Sequence, residues 1–190
     1  MSESNKETMV VIGKLVIISV VAALLLAITY VPTSAQLKIN EENSRKEILG
    51  ELIPEANNNF EGVEGAVINE EGDREVLYYR AKDASGNIIG YAFFKQQAGA
   101  QGPIVVAGGV DSSFTTLRGM NILSHEETPG LGAKIVDDAF QTQFVDLPIA
   151  SLGLSSSGGS VDAITGATIS SKAVVDALNS KISEIEEAEE

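Results

Sequence analysis

Two short stretches of this chain carry residue types that can do chemistry. The first is Asp162-Ala163-Ile164-Thr165-Gly166-Ala167-Thr168-Ile169-Ser170-Ser171. Beyond it Val174, Leu178, Ile182 and Ile185 recur at helical spacing with one apolar face. Thr165 and Thr168 therefore stand at a helix entrance, with Ser170 or Ser171 as a natural N-cap. A helix N-terminus presents unpaired N–H groups and a partial positive charge, which suits phosphate. Gly166 and Ala167 remove the bulk that would keep a large group away. A threonine hydroxyl there can hydrogen-bond a phosphate or be esterified by one; the same residues also describe an ordinary capped helix start. The second stretch is His125-Glu126-Glu127-Thr128-Pro129-Gly130-Leu131-Gly132-Ala133-Lys134. Pro129-Gly130 is a type II turn signal, with Thr128 held extended by the proline. Gly130 and Gly132 let backbone approach a flat ligand, turn amides can line its polar edge, and Lys134 can set a cation near a reduced, anionic ring. Taken alone, Pro129-Gly130-Leu131-Gly132 is also just a tight connection between a strand and a helix, and on these residues that plainer reading leads.

Composition narrows the chemistry. The chain has no cysteine and one histidine, His125. Iron–sulfur clusters, c-type haem, thiol nucleophiles and disulfides are therefore excluded, as is a multi-histidine metal site. His125 reads as a strand or surface residue. Electron transfer by this chain requires an organic cofactor. The formal charge of −14 argues against nucleic acid and anionic lipid as partners.

ETPGLGAKI (127–135) followed downstream by DAITGATISS resembles the FMN-binding domain family, within which the G subunit of the Rnf electron-transport complex and the C subunit of the sodium-translocating NADH:quinone reductase look most alike. Gly90-Tyr91, the glycine-rich strand ending at Gly109 and a single N-terminal anchor belong to the same resemblance. It implies an FMN joined covalently, through its phosphate, to the hydroxyl of Thr168. It further implies a flavin transferase that takes FMN from FAD with Mg²⁺ and recognises Asp162, Thr165, Gly166, Ala167 and Thr168. Beside the flavin it puts the 127–132 loop, with Glu127, Thr128, Gly130, Leu131 and Gly132, and Thr165, Gly166 and Ala167 as further contacts; Lys134 is a further candidate contact on its charge alone. The function implied is a covalent-FMN electron carrier within a membrane-bound, ion-translocating oxidoreductase of Rnf type, with the other membrane subunits as partners and no independent turnover. The alternatives are a C-type subunit of the quinone reductase, or a membrane-tethered extracellular binding module without flavin.

The elements that must position these residues are also readable. Residues 1–9 are a short N-terminal segment and 10–31 a transmembrane anchor, long enough with Lys14 snorkelling to cross about 30 Å of hydrocarbon. A cleaved signal peptide ending near Thr33-Ser34-Ala35 is the competing reading, but its apolar core is normally only about 7–15 residues. The flanking lysines and arginines do not fix orientation; with the N-terminus inside, the cell (inner) membrane holds a single-pass protein whose domain is extracytoplasmic. A linker and helix occupy 32–55, the helix over 40–52 capped at Asn43 or Ser44 and ended by Pro54. The domain is 56–183, with strands over 76–82, 88–95, 103–110 and 117–124, a helix over 133–144 and a flexible stretch over 155–160. An acidic tail, 184–190, is expected to fray. Tightly joined sequential strands give an α+β fold, a twisted antiparallel sheet with flanking helices.

Overall fold

The computed structural model describes residues 3–68 and 74–190; the first two residues of the N-terminal segment and part of the expected domain lie outside the described residues. The chain divides into two units, 1–43 and 44–190. The first unit is the bulk of helix α1 (Glu3–Leu52). Within it Met9–Ala27 is long and apolar enough to cross a membrane, and large side chains such as Leu26 are exposed. Helix α1 runs unbroken to Leu52, so the expected separate helix over 40–52 and its cap at Asn43 or Ser44 are corrected. Helix formers on both sides carry the hydrogen-bond ladder through a residue that caps only where a helix begins.

The second unit is built on six strands: β1 (Phe60–Ile68), β2 (Arg74–Lys82), β3 (Ile88–Ala98), β4 (Pro103–Asp111), β5 (Thr116–His125) and β6 (Leu147–Pro148). They form one antiparallel meander in the order β1-β2-β3-β4-β5-β6. The expected α+β class is therefore the observed one. β1 and β6 are additions. β1 is an edge strand whose register shifts at Val63/Glu64, and its Glu and Gly positions hide the alternation. β6 is only two residues long.

Each face of the sheet buries an apolar layer. On one lies helix α3 (Thr168–Glu189), whose Val174, Leu178, Ile182 and Ile185 are essentially inaccessible and share a core with Phe93, Val106 and Val110. Burying each such side chain contributes about 1.5–3 kcal/mol. On the other, Ile48, Leu49, Leu52 and Ile53 rest on Ala81, Ala92 and Ala107, small residues that let the end of α1 sit close to the strands.

Three further expectations are corrected. The helix over 133–144 is broken into a 3₁₀ turn (Gly132–Val136), the short α2 (Asp138–Gln141) and a second 3₁₀ turn (Thr142–Phe144), with Asp137 extended between the first two. Ile135, Phe140 and Phe144 are all buried. At about 100° per residue, Ile135 and Phe140 would point roughly 140° apart on one helix, so the chain must break to bury both. The 155–160 stretch is a tied loop: Ser155 N–H donates to Val161 O (2.8 Å), Val161 N–H to Gly153 O (2.9 Å) and Ser160 N–H to Ser151 O (3.0 Å). The C-terminal residues continue α3 to Glu189, whose carboxylate accepts from the Tyr78 hydroxyl (2.5 Å), Arg80 Nε (2.9 Å) and the Tyr91 hydroxyl (3.3 Å).

Candidate functional site

Two glycine turns of the same kind form the site. Leu131 N–H closes on Thr128 O at 3.2 Å around Gly130, whose φ is +77°. Ala167 N–H closes on Ile164 O at 2.9 Å around Gly166, with φ +80°. Both are type II turns with glycine at the position that needs positive φ. The second turn delivers the chain into α3. Its N-cap is Ala167, which offers no side-chain acceptor. Ser170 and Ser171, expected as caps, are instead buried in the first turn. Ser171 Oγ donates to Ala167 O and accepts from Ile164 N–H, both at 3.0 Å. The first N–H groups of α3 are thus uncapped by any side chain among the described residues, and Thr168, at the first helical position, is exposed.

Glu127 joins the two turns. It is 5% exposed. One carboxylate oxygen accepts from the backbone N–H groups of Ala100 (2.7 Å) and Gln101 (3.1 Å), and the other from Ser170 Oγ (2.6 Å). Its own N–H donates to His125 Nδ1 at 3.1 Å. Burial pushes the Glu127 carboxyl up, but the hydrogen bonds from Ser170 and the amides of Gln101, Ala100 and Gly102 outweigh it and hold the group below the ordinary carboxylate value. Two glycines make room for this tie. A methyl on Gly99 would lie 2.2 Å from one Glu127 oxygen, and a methyl on Gly132 would lie 2.3 Å from the other.

Around these residues lies an open cleft of about 350 Å³. Of the residues expected from sequence, Glu127, Thr128, Leu131, Gly132, Gly166, Ala167 and Thr168 line it. Thr165 sits at the corner of the second turn without lining the cleft, and Gly130 likewise serves the first turn. Lys134 stands on the following 3₁₀ turn and is not part of the wall. Asp162 is exposed; its backbone pairs with the Gln143 amide, Asp162 N–H donating to Oε1 at 2.7 Å. Sequence reasoning missed Ala100, Gln101, Ile169 and Ser170. For Ile169 a signal existed: a large apolar residue directly after Thr168, off the buried face of α3. Leu131 and Ile169 are 48% and 65% exposed, an apolar pair beside a hydroxyl and a run of free amides.

Residues 99–183 match the FMN-binding domain, a span that includes every residue of the cleft wall. Fold and site together define a flavin-binding domain that follows an N-terminal apolar helix. The chain is 50% identical over 182 residues to the G subunit of the ion-translocating oxidoreductase complex of Methanosarcina acetivorans, covering 96% of each protein. To the G subunit of the Na⁺-translocating ferredoxin:NAD⁺ oxidoreductase complex of Acetobacterium woodii it is 30% identical over 181 residues, 88% of this chain and 86% of that one. The crystal structure of the C subunit of the Na⁺-translocating NADH-quinone reductase from Parabacteroides distasonis shares the fold, with a TM-score of 0.55 at 24% identity over 80% of this chain and 93% of that one. The chain belongs to the family of FMN-binding G subunits of ion-translocating oxidoreductase complexes. With its apolar N-terminal stretch, it is a membrane-associated protein.

Proposed function

We propose that this chain is the covalent-flavin electron carrier of an Rnf-type complex, with FMN esterified through its phosphate to the Thr168 hydroxyl. The observation that carries the reading is an exposed threonine at the uncapped start of α3, on the same cleft wall as the 127–132 loop. The residues fit such a group. The first-turn amides of α3 and its dipole suit a phosphoester, Gly166 adds no side chain beside it, and Leu131 and Ile169 offer apolar surface to a ring. In maturation the Thr168 oxygen displaces AMP from the flavin phosphate of FAD. One P–O bond forms, the pyrophosphate bond breaks, and the threonine proton leaves with AMP. A flavin transferase with Mg²⁺ performs this step, recognising Asp162, Thr165, Gly166, Ala167 and Thr168.

Bound FMN supplies one- or two-electron exchange. The chain's own residues hold it: the ester prevents loss to an extracytoplasmic medium, and the membrane helix keeps the carrier near the other subunits at high effective concentration. When the full chain is coexpressed with a flavin transferase, it should fluoresce as a flavin in a denaturing gel and gain the mass of FMN less one water. Thr168→Ala should abolish both. Flavin that survives denaturation in Thr168→Ala would overturn the assignment. Copurifying subunits identify the complex, and protease accessibility in sealed vesicles reports the side of the membrane.

A further inference from the structure

Among the described residues lining the cleft, Glu127 is the one with a formal charge. Lys134, expected to supply a cation there, stands outside the wall. The carboxylate is fixed by three donors, the amides of Ala100 and Gln101 and the hydroxyl of Ser170. Ser170 lies two residues beyond Thr168 in the first turn of α3. A carboxylate so held cannot swing away when charge develops beside it, and with 5% exposure it is poorly screened by water.

We infer that Glu127 is a redox-positioning residue: its locked carboxylate holds the reduction potential of the flavin below the value the same cleft would give without it. The inference rests on the proposed attachment of FMN at Thr168. An electron added to the ring without a proton adds negative charge to a cleft that already contains one, so like-charge repulsion opposes reduction. The α3 dipole and the donors to Glu127 act in the other direction, but dipoles offset only part of a full charge. One unit charge at a separation of about 10 Å and an effective dielectric of about 20 changes such an equilibrium on the order of tenfold. For a one-electron couple that is about 59 mV.

The test is spectroelectrochemical titration of the full-length, transferase-matured protein. Glu127→Gln keeps the size of the side chain and an acceptor for the two amides. Its midpoint potential should rise by the equivalent of about a tenfold change in the one-electron equilibrium. A flavin-loaded Glu127→Gln with an unshifted potential overturns the inference and leaves Glu127 a purely structural tie. Gln101, a residue of the cleft wall, provides a second pair of variants that does not disturb the tie, because only its backbone N–H serves Glu127. Gln101→Lys should raise the potential and Gln101→Glu lower it. Should Glu127→Gln not mature, a potential indifferent to charge at position 101 also overturns the inference. Wild-type protein without covalent flavin is a separate result, which overturns the assignment of the site itself.

Discussion

Replacing Gly132 by alanine tests whether the Glu127 tie holds the site together. The new methyl would lie 2.3 Å from Glu127 Oε2, 2.9 Å from Glu127 Cβ and 2.8 Å from Ser170 Oγ. All are below any real van der Waals contact, so the carboxylate must leave Ser170 or the loop must shift. Losing a hydrogen bond to a charged group costs about 1.5–3 kcal/mol, and forcing a methyl into filled space about 1–3 kcal/mol. The combined loss of about 2.5–6 kcal/mol is a large part of the roughly 5–15 kcal/mol that holds a domain folded. Urea unfolding of the full chain in detergent, followed by near-ultraviolet circular dichroism of the buried Tyr78 and Tyr91, reads it. At about 2 kcal/mol/M the midpoint should fall by roughly 1.2–3 M. Gly130→Ala is the control: its methyl meets nothing within 4 Å and the cost is the positive φ alone, about 1–2 kcal/mol. If Gly132→Ala is no more costly than Gly130→Ala, the two turns are not held by Glu127 and the account of the site is wrong.

Two further perturbations act away from the cleft. Burial pushes the Glu189 carboxyl up, but hydrogen bonds from Tyr78 and Arg80 hold it below its ordinary value. Its contribution is therefore present above the unfolded pKa and lost as pH falls through the lower folded one. Tyr78 is pushed from 10.0 up to about 12, by burial first and then by Glu189. That stabilisation is present below about pH 10 and lost as pH rises toward about 12. In thermal melts across pH, Glu189→Gln should weaken the acid limb, to which the other lowered carboxylates such as Glu127 still contribute, and shorten the alkaline one; unchanged limbs would show that the clamp adds nothing. Gly159→Ala would set a methyl 2.1 Å from the Gly153 carbonyl, a backbone that cannot rotate away. A loss of about 3 kcal/mol or more, with faster hydrogen exchange at the Val161 amide, is the expected outcome.

What the sequence made legible follows a physical division. Periodic burial is written locally, so the α3 face and strands β2 to β5 could be read from spacing, and so could the Pro129-Gly130 turn. β1 could not, because an edge strand with glutamates at 61 and 64 has no clean alternation. The break at Asp137 was illegible for another reason: it is set by which side chains must reach a core that only the assembled sheet provides. The same holds for the C-terminal residues. Their charge alone suggests a solvated end, and only the fold brings Tyr78, Arg80 and Tyr91 to Glu189. At the site, the threonines and glycines announced themselves as a motif. The role of Glu127 did not, since its partners at 100, 101 and 170 are distant in sequence.

Gly166 separates backbone shape from bulk as the reason for the TGAT motif. A methyl on Gly166 would meet only Leu131 Cδ2, at 3.4 Å, an ordinary contact, while its φ of +80° is unfavourable for L side chains. Gly166→Ala should therefore cost about 1–2 kcal/mol through conformation, and Gly166→Asn less, because asparagine tolerates the left-handed region. If the transferase needs only the turn, flavin attachment should follow this order, with asparagine closer to wild type than alanine. If it needs the space above the turn, the larger asparagine should block attachment more than alanine while unfolding less readily. Flavin fluorescence per mole of folded protein distinguishes the two. The free space around Gly166 and the exposed hydroxyl of Thr168 favour the second outcome, in which stability and attachment move in opposite directions. Attachment that instead tracks stability in both variants would reduce Gly166 to an ordinary turn glycine.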